Sequence, residues 1–122
     1  MTTLSVSPNG DRIYAAGTFI GSVVLGGRDM TSVNSKEDFF VMAYNANGQS
    51  VWVKKIGHRE ADRYITSTTT KEGALVLSGA LSGVTTFDTQ TITANGELAS
   101  DLFVSLIAPD GTIRFVKVYG DV

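Results

Sequence analysis

The chain has no cysteine, two prolines and one histidine among 122 residues. Without cysteine there is no disulfide, no thiolate nucleophile and no Cys-ligated metal site, and neither an oxidising nor a reducing compartment is selected. Charge is sparse and nearly balanced, with 10 Lys and Arg against 12 Asp and Glu. That balance leaves no basic footprint for nucleic acid or for an anionic membrane. The apolar runs are short and broken by Gly, Asn and Asp, so no membrane span is expected, and the opening MTTLSVSPNG lacks the basic start and apolar body of a signal peptide. No stretch carries helical periodicity with caps.

What the chain does have is β-branched and aromatic runs separated by Gly and Asn turns, with 43% hydrophobic residues, enough to build a packed core. The runs recur. Residues 101–120, DLFVSLIAPDGTIRFVKVYG, match residues 38–57, DFFVMAYNANGQSVWVKKIG, at the leading Asp, the second aromatic, the next Val, the turn Gly, a Val-Lys pair and the closing Gly. Upstream of each copy the same order returns. Residues 1–7, the turn Asn9-Gly10, the strand RIYAAGTF and a small hairpin within residues 22–33 are answered by residues 64–70, Glu72-Gly73, residues 74–81 and TTFDTQTITA. The offset of 62 or 63 residues points to repeated supersecondary units, residues 1–60 and 61–122.

Each unit therefore reads as four antiparallel strands plus a minor hairpin, an all-β fold. Asp38 to Asn45 is apolar on both alternating faces, which predicts a strand covered from both sides. The lysines of SVWVKKI predict an outer strand that resists edge pairing. This arrangement is that of a β-propeller blade. The alternative is a self-contained β-sandwich.

The pattern G-x-x-x-G, D-x-F-V, D/N-G, aromatic, Gly is met by Gly17 to Gly21, residues 38–41, Asn47-Gly48, Trp52 and Gly57, and again by Gly79 to Gly83, residues 101–104, Asp110-Gly111, Phe115 and Gly120. It resembles the bacterial SBBP-type β-propeller repeat, with Phe115 where that repeat has Trp. The resemblance implies a ring of roughly four to eight blades. Two blades do not close one, so it also implies partners: copies of this chain assembling head to tail, or further blades of a longer chain. It points to an extracellular or cell-surface setting.

Residues with reactive chemistry are few. His58 stands in the charged connection with Arg59, Glu60, Asp62 and Arg63, a segment expected to be a solvated link, a ring rim or a contact between chains. Asp38 and Asp101, at matching positions, are expected to bond backbone N–H groups, as short carboxylates do. Asp29, Asp62 and Asp88 lack the acidic spacing of a calcium loop, and the glycines lack a phosphate-loop pattern, so no metal site, no cofactor and no catalytic centre is expected. Trp52 and Phe115 are expected either to pack between units or to stack on a sugar. Three functions follow: a non-catalytic structural and interaction module, a lectin-like glycan-binding propeller, or a fragment of a propeller enzyme.

Overall fold

The turns set the hairpins. Gly10, with φ +77°, and Gly48, with φ +80°, occupy the left-handed region that a side chain disfavours. Gly10 N–H donates to the Ser7 carbonyl at 2.9 Å and Gly48 N–H to the Asn45 carbonyl at 3.0 Å, each closing a tight turn. The Asn45 side chain reinforces the second by accepting from the N–H groups of Asn47 and Gln49 at 2.9 and 3.0 Å.

The computed structural model describes residues 2–32, 38–58, 65–81, 84–87, 90–93 and 101–119. Its strands are β1 (Thr2–Val6), β2 (Ile13–Phe19), β3 (Ser22–Leu25), β4 (Arg28–Thr31), β5 (Asp38–Tyr44) and β6 (Ser50–His58), then β7 (Ile65–Thr69), β8 (Leu75–Leu81), β9 (Val84–Phe87), β10 (Gln90–Thr93), β11 (Asp101–Ile107) and β12 (Ile113–Tyr119). The fold is all-β and every strand pair is antiparallel, with no helix among the described residues. Neither large sheet closes on itself.

Both halves pair their four long strands in the same order, β1-β2-β5-β6 and β7-β8-β11-β12. Both break register at the same place, between Ala43 and Tyr44 and between Leu106 and Ile107. The outer strand β6 is not the unpaired edge its lysines predicted. On the edge away from β5, the end of β6 pairs with β9, placing Ile56, which also faces Phe39 of β5, opposite Phe87, and His58 opposite Thr85. The hairpin β9–β10 of the second half thereby extends the first sheet to six strands. Lys54 and Lys55 lie outside the three paired positions. They serve other contacts: Lys54 Nζ stands 5.6 Å from the Trp52 ring centre, and Lys55 Nζ donates to the Thr31 carbonyl at 3.0 Å.

The two large sheets pack face to face over one apolar core. From the first come Tyr14, Ala16, Phe39, Val41, Ala43 and Ile56, and from the second Ile65, Leu75, Leu77, Phe103 and Ile107, all buried. Complete burial of a side chain of this size stabilises by about 1.5–3 kcal/mol, so this seam dominates the fold. On the other side of the first sheet a smaller cluster joins Phe19, Met42 and Val53 to Met30 of the hairpin β3–β4, with Val23 and Leu25 beside it. Arg28 Nη1 fastens that hairpin by donating to the Val53 carbonyl. Strand β5 is consequently covered from both sides, with Phe39, Val41 and Ala43 in one cluster and Phe40, Met42 and Tyr44 in the other.

Candidate interaction surface

The joint between the two sheets shows what each sheet face is built to meet. Three long side chains of the first half reach across to turns of the second. Tyr14 donates its hydroxyl to the Gly73 carbonyl at 2.6 Å. Arg12 Nε and Trp52 Nε1 each donate to the Pro109 carbonyl at 3.0 Å. The Trp52 ring lies on Gly111 so closely that a Cβ there would stand 3.0 Å from two ring carbons. Tyr14 and Trp52 also touch each other, with ring centres 5.9 Å apart. Along β1 and β7 a hydroxyl seam completes the joint: Ser67 meets Thr3 and Ser5, and Thr69 Oγ1 donates to the Val6 carbonyl at 3.0 Å.

Burial acts on one titratable group in this joint. Tyr14 is 1% exposed, and desolvation raises its pKa above the ordinary tyrosine value, partly offset by the Arg12 charge. At the exposed turn, the Thr112 N–H and hydroxyl hold the Asp110 carboxyl below its ordinary value.

The face that the first sheet turns to the joint carries Tyr14, Ala16, Phe39, Val41, Ala43, Trp52 and Ile56, and the same strand positions of the second sheet are Val76, Ser78, Leu102, Val104, Leu106, Phe115 and Tyr119. These point away from the joint. Leu102, Phe115 and Tyr119 are 47%, 40% and 59% exposed. They form two apolar cross-strand pairs, Leu102 opposite Tyr119 and Leu106 opposite Phe115, with Lys117 opposite Val104 between them. At the far side of the molecule Leu4 and Val6 of β1 are 67% and 52% exposed, where their counterparts Ser67 and Thr69 enter the joint. The Gly48 turn, counterpart of the turn beneath Trp52, has nothing within 4 Å of a Cβ built on it.

Trp52 is thus drawn into the joint, and Phe115, its counterpart, lies on the exposed face. His58 ends β6 opposite Thr85, but its side chain and all of Arg59, Glu60, Asp62 and Arg63 lie outside the described residues. The side chain of Asp101 does so too, while Asp38 is fully buried. Among the described residues no group of three His, Cys, Asp or Glu side chains is placed to hold a metal ion. The described residues line a shallow depression of about 370 Å³ on the β3–β4 hairpin, with Val23, Val24, Asp29 and Met30, and another of about 130 Å³ between the turns at Asn9, Glu72 and Pro109. No helix among the described residues is long and apolar enough to cross a membrane.

The cross-joint donors Arg12, Tyr14 and Thr69 are bridging residues that sequence reasoning missed. Their signal was the difference between the halves: Arg12, Tyr14 and Thr69 stand where the other half has Ala74, Val76 and Val6. No family model, no curated protein and no solved structure matches the chain.

Proposed function

We propose that the chain is a non-catalytic structural and interaction module: two consecutive blades of a β-propeller series in which each sheet face is made to be covered by the blade that follows. One observation carries this reading. Buried apolar positions of the first sheet have exposed apolar counterparts in the second, Phe39 against Leu102 and Ile56 against Tyr119.

A freestanding two-sheet sandwich turns alternating polar residues outward. Here the outward face of the second sheet keeps Leu102, Val104, Leu106, Phe115 and Tyr119 beside the polar Ser78 and Lys117. Exposed large apolar side chains grouped on one face mark a contact surface. Series of stacked units gain stability from each new interface between neighbours. The partner is then a further blade, in the same chain or in another copy. The glycan-binding alternative loses its main support, since the Trp52 ring is engaged by Gly111 and Tyr14 and its N–H by Pro109.

The test is a tandem of two copies joined by a connector that preserves the spacing from Gly57 to Tyr64. The tandem is expected to melt well above the single chain, because one more sheet-on-sheet joint forms. Equal melting temperatures would refute the reading.

A further inference from the structure

The small hairpins of the two halves match in length and register and stand in different places. Ser22–Leu25 and Arg28–Thr31 are answered by Val84–Phe87 and Gln90–Thr93, in each case two four-residue strands joined by a two-residue turn. Strand β9 joins β6 of the other sheet by main-chain pairing, whereas among the described residues β3 and β4 pair only with each other and lie on their own sheet. The face of the second sheet that carries Leu77, Phe103, Ile107 and Val116 is covered by the first sheet. The matching face of the first, with Ala15, Phe40, Tyr44 and Val53, is covered by β3–β4. A whole sheet and a short hairpin thus occupy equivalent sites.

The hairpin is built as a separate part. Its neck closes on itself, with Gly21 N–H donating to Ser32 Oγ at 2.8 Å and Ser32 N–H to the Gly21 carbonyl at 2.9 Å. Side chains fasten it to the sheet: Arg28 bonds the Val53 carbonyl, Lys55 the Thr31 carbonyl, and Met30 enters the cluster beneath. Its tip seats because Gly26 has no side chain, since a Cβ there would stand 2.7 Å from Val53 Cγ2 and would collide with Ser50. At the positions of Gly26 and Arg28 the other hairpin has Asp88 and Gln90. The residues that seat the first hairpin are therefore not shared by the one that stands elsewhere.

Resting on the blade reading above, we infer that β3–β4 is a displaceable cover over a second contact surface, and that the partner this surface takes is the exposed face of the second sheet of another copy. The joint within the chain shows why that face fits. Phe39, Val41 and Ala43, which meet the second sheet there, have Leu102, Val104 and Leu106 as counterparts on the open face. While seated, the hairpin keeps the surface closed and free copies apart. When an incoming sheet is held against it, the hairpin moves to the edge of the incoming β12, which is unpaired among the described residues. There Leu25 stands opposite Tyr119 as Phe87 stands opposite Ile56. Joining two copies in tandem raises the local concentration of the incoming sheet and so drives this exchange.

Sedimentation over a range of concentrations tests the cover. Wild-type chain is expected to stay single. The unseated variant Gly26→Asp, Arg28→Gln, which carries the residues of the other hairpin, is expected to gain mass with concentration. Asp tolerates the left-handed backbone at Gly26, φ +57°, so the lost seat is what the variant probes. Arg28→Gln alone, which removes one fastening and no apolar contact, shifts the mass in the same direction by less. Adding Leu102→Asp to the unseated variant returns it to single chains, because a charge enters the joint without a partner. Mixed with wild type, this triple variant forms one-to-one pairs of doubled mass and nothing larger, since one protein brings the uncovered surface and the other the open face. Circular dichroism verifies that the variants fold. Wild type that associates as readily as the unseated variant would overturn the inference, as would an unseated variant that stays single, association that survives Leu102→Asp, or failure to pair on mixing. A tandem that gains no stability removes the blade reading itself, whereas a stabilised tandem beside an unseated variant that stays single leaves that reading standing and this inference falls.

Discussion

Adding one methyl group at Gly111 and at Gly48 separates two effects that the structure combines at only one of these turns. Both glycines have positive φ, +95° and +80°. An alanine in that region costs about 1–2 kcal/mol of backbone strain. At Gly48 nothing else opposes the methyl, as no atom lies within 4 Å of it. At Gly111 the methyl meets Trp52 Cγ and Cδ1 at 3.0 Å and Cδ2 at 3.3 Å. The ring has little freedom to withdraw, being held by its bond to the Pro109 carbonyl and by Tyr14. Overpacking of this kind adds about 1–3 kcal/mol. Gly111→Ala is therefore expected to lose about 2–5 kcal/mol in urea unfolding and Gly48→Ala only about 1–2, measured at concentrations where the chain is single. In a Trp52→Ala background the excess at Gly111 should vanish. Equal losses at the two glycines, or an excess that persists without Trp52, would show that the ring does not bear on this turn.

Removing the Tyr14 hydroxyl by Tyr14→Phe leaves the buried Gly73 carbonyl without its donor, and a loss of about 1–2 kcal/mol is expected in the same assay. That variant also has a pH signature. Burial raises the phenol pKa, so the folded state keeps its proton above pH 10 while the unfolded state releases it. Stability from this group is complete below the unfolded pKa and is lost as pH rises from about 10 through the folded value. Tyr14→Phe should therefore flatten the alkaline limb of the stability profile, and an unchanged limb would reassign it to other groups. Phe103 is 0% exposed at the centre of the seam. Phe103→Ala is expected to lose about 3–5 kcal/mol, and a loss under 1 kcal/mol by denaturant titration would contradict its placement in the core.

Much of the strand order was legible because it rests on local chemistry. The Asn45–Gly48 and Ala108–Gly111 turns need a left-handed residue, and glycine supplies it in both halves. The two-faced apolar run from Phe39 to Tyr44 told that β5 would be covered on both sides, and it is. The lysines of β6 misled, because β9, a segment far along the chain, pairs with the outer edge of β6 from Ile56 to His58, and nothing in the β6 residues announces it. For the candidate surface, the matching of Trp52 with Phe115 was visible, but their different surroundings were not. The same strand position is half-buried on one sheet and 40% exposed on the other solely because one sheet has a neighbour there.

The sequence by itself determined that this protein is all-β, where its tight turns fall and which strand positions of the two halves match. Turn dihedrals and two-residue alternation are decided within a few residues. Only the tertiary structure decided which face of each sheet is covered, that Arg12, Tyr14 and Trp52 spend their donors on turns at Gly73 and Pro109, and that Leu102, Phe115 and Tyr119 stay exposed. Those facts depend on contacts between residues roughly 60 to 100 positions apart, where burial is set by what lies opposite a face and no local pattern carries that information.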